Sequence, residues 1–179
     1  MSIELRDKMP GEYRLSGPGP CVCVDPGVGG TGIAVWDNLQ RSGGRLGPRL
    51  RHVVKPHGRG DWGSRMDQVV EEAVRVIDTS MPEHSLIVIE VPIVWAGSAR
   101  SLAAGQRGEL TKLAVLAGAI GGAFWSRTRV LFIWPSTWKG QMPKAAVGAR
   151  IARTLGASLR FPDHVEDAIG MGLALVGRL

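Results

Sequence analysis

Residues 21–36, Cys21-Val22-Cys23-Val24-Asp25-Pro26-Gly27-Val28-Gly29-Gly30-Thr31-Gly32-Ile33-Ala34-Val35-Trp36, decide how this chain folds. The first four form a buried-strand run that stops at Asp25-Pro26-Gly27, a turn signal. A Gly-rich link leads to a second strand over residues 31–36, and so short a link suits an antiparallel hairpin. The hairpin leaves an acid, Asp25, at the C-terminal end of its first strand. Asp-Pro-Gly is also a common turn, so Asp25 alone does not separate a site from a bend. Cys21 and Cys23 are two apart and share one face of the strand. Such close neighbours do not easily form a disulfide. No His or further Cys lies nearby to complete a zinc site. The pair therefore reads as buried core thiols.

Outward from the hairpin, residues 38–51 are a basic loop carrying Arg41, Arg45, Arg49 and Arg51 among glycines, and a third strand lies near His52-Val53-Val54. Met66, Val69, Val70, Ala73, Val74 and Ile77 have the spacing of an amphipathic helix, with Ser64 and Asp67 resembling a capping box at its start. Ser85-Leu86-Ile87-Val88-Ile89 is apolar on both faces, as expected at the centre of a partly parallel sheet. A long Ala- and Gly-rich helix is predicted over residues 98–127, a fifth strand over 130–133, a loop over 135–143, and helices over 144–155 and 164–179. Three meandering strands followed by alternating helices and strands describe an α/β, ribonuclease-H-like fold: a five-stranded mixed sheet flanked by helices. Residues 1–18 mix charge with Gly and Pro and read as a flexible N-terminal arm. Residues 19–179 form the domain.

With 179 residues, the chain fits one domain able to bury its own core. Its apolar content of 44% and mean hydropathy of +0.04 place it among globular proteins. A net charge of +6 and a pI near 10.0 suit a polyanionic partner, although basic composition also serves solubility. The longest apolar stretch, residues 113–125, is shorter than the ~20 residues that cross a bilayer. The N-terminal stretch carries Glu4, Asp7 and Glu12 and lacks an apolar signal core. A cytoplasmic protein without membrane association is expected.

Three acids and a histidine carry the functional expectation. Glu90 directly follows the doubly buried strand, where a carboxylate is costly to desolvate unless paired or bound to a cation. His164 and Asp167 lie three apart near the start of the last helix and share a face. Val165, Ile169, Gly172, Leu173 and Val176 make a separate core-facing stripe. Asp163 and Glu166 fit an N-cap and its N3 partner. In a ribonuclease-H-like fold the first and fourth strands are neighbours and the last helix packs at the same end, so Asp25, Glu90 and Asp167 are expected to meet with His164 beside them. Carboxylates crowded this way raise one another's pKa. Two divalent ions ~3.5–4 Å apart would relieve that repulsion and can clamp a phosphodiester.

Val24-Asp25-Pro26-Gly27, then Thr31-Gly32, Ile89-Glu90, and His164 three residues before Asp167-Ala168 recur in this order along residues 21–175. In order and spacing the chain resembles the RuvC family of Holliday-junction resolvases. Gly105-Gln106-Arg107-Gly108 is similar to the family's Gly-Gln-x-Arg-Gly helix opening, one residue shorter. The resemblance implies a dimeric, metal-dependent endodeoxyribonuclease of DNA recombination and repair that cuts four-way junctions symmetrically. It implies Asp25, Glu90, His164 and Asp167 as the catalytic and metal-binding set, with two Mg²⁺ or Mn²⁺ ions per site. Many relatives have Asp where this chain has His164. Imidazole suits Mn²⁺ better than Mg²⁺, so Mn²⁺ should support activity at least as well. His164 has an alternative role, positioning or protonating a reacting oxygen.

The family places lysines near the scissile phosphate after the fifth strand, which here implies Lys139 and Lys144. These would stabilise developing charge as well as bind. An apolar wedge follows the second acid in relatives. Ile93 and Trp95 are the candidates, and Trp95 equally suits a packed core ring. Arg100, Arg107, Arg41, Arg45 and Arg49 are candidate phosphate contacts. Ala117, Gly118, Gly121 and Gly122 permit close approach of the long helix, either to a second subunit or to the sheet. A symmetric homodimer would supply two matching cuts. The competing readings are a branched-DNA or flap debranching nuclease with the same acids, a non-catalytic DNA-binding module, and an actin-like nucleotide-binding domain. The last needs two such domains, and this chain is too short for both.

Overall fold

The computed structural model describes residues 4–6, 19–37, 48, 50–55, 60–81, 85–93, 99–156, 161–177 and 179. Strands β1 (Glu4–Arg6), β2 (Cys21–Asp25), β3 (Thr31–Trp36), β4 (Leu50–Val54), β5 (Leu86–Glu90) and β6 (Arg129–Ile133) form one sheet in the order β1-β6-β5-β2-β3-β4. β2, β3 and β4 are an antiparallel meander, with Asp25 opposite Gly32. β5 lies parallel to β2 and β6 parallel to β5. The five strands from Cys21 onward are the expected mixed sheet of a ribonuclease-H-like fold. β1 adds a sixth at the edge, parallel to β6, and it comes from the segment read as an arm. Three residues with a single apolar side chain leave no alternation to read, and an edge strand can be held by backbone pairing alone. The rest of residues 1–18 lies outside the described residues.

Both faces of the sheet are covered, which is why its central strands are apolar throughout. Helices α1 (Trp62–Ser80) and α3 (Glu109–Phe124) pack on Val22, Val24, Ile87 and Ile89. Helices α5 (Lys144–Leu155) and α6 (Asp163–Leu175), with the single turn α4 (Pro135–Trp138), cover Cys21, Cys23, Ala34 and Trp36. The two cysteines are free and buried, as expected, with their sulfurs 3.7 Å apart.

Three local expectations are corrected. α1 is capped by Asp61, whose Oδ1 accepts from the Ser64 N–H at 3.0 Å, and not by a box between Ser64 and Asp67. An acid already lay in extended backbone ahead of the first turn, so the helix starts two residues before Ser64. The single long helix is two, α2 (Ala99–Gln106) and α3, because Gly108 takes φ +71° between them. Nor does Asp163 cap α6: Pro162 stands at that position without a side-chain cap, and Asp163 pairs with Lys144 at 3.2 Å.

The small residues of α3 point two ways. A Cβ at Gly121 would sit 2.5 Å from the Phe132 ring, so this residue packs on the sheet. Gly118 and Gly122 face open space, near the exposed Val115. Among the described residues no helix is long and apolar enough to cross a membrane.

Candidate active site

The site lies where β2 and β5 end side by side and α6 begins. Its first support is the turn after Asp25. Thr31 Oγ1 accepts from the Gly27 N–H at 3.2 Å and donates to the Gly27 carbonyl at 3.1 Å, and the Gly30 N–H also donates to that carbonyl at 3.0 Å. A Cβ on Gly27 would lie 2.8 Å from the Cε1 and Nε2 atoms of His164. The glycine of Asp-Pro-Gly thus leaves room for the imidazole. Gly32 does the same for the backbone, since a Cβ there would overlap the carbonyl of His164 and crowd the Val165 nitrogen. Two glycines on the hairpin therefore set how closely the first turn of α6 approaches Asp25.

Asp25 and Asp167 are only 7% and 8% exposed. His164 Nδ1 lies 2.6 Å from Asp25 Oδ2, and because a carboxylate can only accept, Nδ1 carries the proton. Trp138 Nε1 donates to Glu90 Oε2 at 2.6 Å. Lys139 Nζ lies 3.1 Å from Asp167 Oδ2 and 3.9 Å from Glu90 Oε2. Every acid is therefore met by a nitrogen from another element.

Burial raises the Asp25 pKa against the opposing hydrogen bond from His164. Burial, then repulsion from Asp25, pushes Glu90 up to about 8. His164 is raised chiefly by its hydrogen bond to Asp25. For Lys139, burial disfavours the charge, but attraction to Glu90, Asp167 and Asp25 outweighs it and the pKa rises.

A cleft of about 270 Å³ opens over these groups, lined by Asp25, Glu90, His164 and Asp167, with Lys144 at its rim and Leu113 and Pro92 as apolar walls. The structure thus brings together Asp25, Glu90, His164, Asp167, Lys139 and Lys144. Ile93 is half-buried just beyond Glu90. Arg107 is held by Glu109 at 2.8 Å. Arg41, Arg45, Arg49 and Trp95 lie outside the described residues, as does the side chain of Arg100.

Two contributors were not assigned from sequence. Trp138 adjoins Lys139 in a stretch read as a loop, and only α4 turns its ring inward to Glu90. Thr31 was part of a motif, but its two hydrogen bonds with Gly27 depend on the fold of the turn.

The donor set suits a hard divalent cation: two buried carboxylates, Asp25 and Asp167, and the half-buried Glu90, held near pKa 8, beside an imidazole. Their present orientation serves the neighbouring nitrogens instead. Among the described residues no three His, Cys, Asp or Glu side chains close on a single ion-sized point.

No family model matches the chain. No curated protein sequence matches it either. Among solved structures, Thermus thermophilus RuvC in complex with a Holliday-junction substrate superposes with a TM-score of 0.64 at 19% identity, covering 87% of this chain and 91% of that one. A second Thermus thermophilus RuvC structure gives 0.59 at 18% identity, covering 87% and 92%. At this identity the likeness establishes a shared fold, the ribonuclease-H-like fold of RuvC.

Proposed function

We propose that this chain is a structure-selective endodeoxyribonuclease that resolves four-way DNA junctions by metal-dependent phosphodiester hydrolysis, acting as a homodimer. The observation that carries the proposal is the convergence of Asp25, Glu90 and Asp167, from two strands and a helix, with His164 and Lys144 in one cleft and Lys139 against two of the acids. The fold shared with a RuvC seen on a Holliday junction supports the choice of substrate.

Asp25, Glu90, Asp167 and His164 are the residues that would hold the metal. Bound there, divalent ions would supply Lewis-acid activation of water and neutralise charge on the scissile phosphate. The protein's own groups do the rest. His164 is oriented by Asp25 through Nδ1, which leaves Nε2 for one of two alternative roles: joining the metal, or accepting or donating a proton at the cleft. Lys139 and Lys144 offer cations to the non-bridging phosphate oxygens. The outward face of α3, with Gly118, Gly122 and Val115, suits close approach of a second copy, and two sites are needed for two cuts.

The test is cleavage of a synthetic four-way junction by the wild type and by Asp25→Asn, with Mg²⁺ and with Mn²⁺. The wild type should cut paired strands, Mn²⁺ should serve at least as well as Mg²⁺, and Asp25→Asn should lose on the order of 10³-fold or more in rate. Intact junctions with both metals would sink the proposal. Equal cutting of Y-shaped and flap DNAs would replace it with a debranching nuclease. Replacing Lys139 or Lys144 should lower cleavage more than junction binding.

A further inference from the structure

We propose that Lys139 is a resident counter-cation: in the metal-free protein its ammonium holds Glu90 and Asp167 together, and a divalent ion must eject it to bind. The inference rests on reading the acids as a metal site and concerns how that site is kept before an ion arrives.

The geometry is specific. Lys139 Nζ sits 3.1 Å from Asp167 and 3.9 Å from Glu90, with its side chain only 21% exposed. It lies 4.7 Å from the centre of the Trp138 ring, and the same Trp138 donates to Glu90. Consecutive residues at the end of α4 therefore tie together acids from β5 and α6. Without a cation these carboxylates would repel. With the ammonium between them their oxygens face Lys139, and no three donor side chains close on an ion-sized point among the described residues.

An ammonium and a divalent ion repel strongly at such separations, least screened where the site is buried. Lysine is suited to leaving, because its point charge rides on a flexible four-carbon stem and can swing without backbone movement. Ejection directs the charge to the cleft, where a phosphate would be its next partner.

Mn²⁺ titration without DNA, followed by calorimetry on the full chain, tests this apart from catalysis. Lys139→Met should bind Mn²⁺ about tenfold more tightly than the wild type, a typical coupling between linked sites. In EDTA it should melt below the wild type, and saturating Mn²⁺ should remove the difference. Lys139→Arg, which keeps the charge, should bind as the wild type does. Should Lys139→Met fail to fold, Lys139→Gln carries the same expectation. Unchanged or weaker Mn²⁺ binding by the neutral variant, with wild-type binding intact, overturns the counter-cation and leaves the metal site standing. If neither wild type nor neutral variant binds Mn²⁺, while both fold, the metal site itself falls and the inference with it.

Discussion

On one face of the sheet, α1 and α3 press aliphatic side chains onto Val22, Val24, Ile87 and Ile89. On the other, α6 lays its backbone against Gly32, its Gly172 against Trp36 and its Gly170 against Trp138. The first face meets its neighbours through side chains, the Phe132 ring beside Gly121 among them, whose tips can shift. The second adds a direct backbone contact, Gly32 against the His164 carbonyl, which cannot rotate away. Every acid and base of the site touches the second face or the strand ends beneath it. The contrast teaches that this fold separates filling volume from holding geometry. A catalytic constellation tolerates misplacement of only about 0.5 Å, so the helix that carries His164 and Asp167 is seated where little can move.

A single methyl on each face breaks the comparison most directly. Gly32→Ala sets a Cβ into the backbone of His164, and the first turn of α6 must shift. It should destabilise by about 3 kcal/mol, the upper range for overpacking, and reduce junction cleavage at least 100-fold on the order expected for misplaced catalytic groups. Gly121→Ala, on the α3 face, meets the far edge of the Phe132 ring and the tip of Ile89. A cost of about 1–2 kcal/mol is expected there, with the cleavage rate per folded molecule unchanged. Thermal melts and single-turnover cleavage measure both. Equal losses of activity would show that the two faces do not differ in the way described.

Acidity separates the faces next. Asp25, Glu90 and His164, all on the site side, have pKa values raised on folding. A raised pKa means that the folded protein binds more protons than the unfolded chain between the two values. Glu90, at about 8 folded against 4.5 unfolded, contributes its full share below pH 4.5 and loses it as pH rises through 8. In EDTA the melting temperature should therefore fall as pH rises from about 5 to 8, by on the order of 10 °C at this chain length. Glu90→Gln should flatten the profile, and a profile unchanged by Glu90→Gln would refute the assignment.

The fold was legible because buried strands and amphipathic helices write their periods into sequence. The apolar runs at Cys21–Asp25 and Leu86–Glu90 locate two neighbouring strands, and the acids that end them follow without further help. Asp167 and His164 were legible from helical spacing. Less legible was whatever depends on a side chain's direction after folding. Trp138 reads as a loop residue until α4 turns it toward Glu90, and Lys139 reads as a phosphate contact until it is found between two acids. β1 escaped notice because pairing at a sheet edge requires no hydrophobic pattern. The break at Gly108 was visible as a glycine, but nothing local distinguishes a glycine that ends a helix from one tolerated within it.

Asp61 provides the smallest test, because it asks whether a polar group serving the α1 face is structural alone. Its carboxylate accepts from the Ser64 N–H and hydroxyl, and those bonds, the backbone one first, hold its pKa below the usual 3.8. A depressed pKa gives stability that is complete above the unfolded value and lost as pH falls through the folded one. Asp61→Ala should lower the melting temperature at neutral pH by about 2–4 °C, and the difference should shrink below pH 4. Cleavage per folded molecule should not change. A cleavage defect would mean that the end of α1, whose Arg65 reaches the Val28 carbonyl in the turn after Asp25, helps to hold the site, and the separation of the two faces would then need redrawing at that corner.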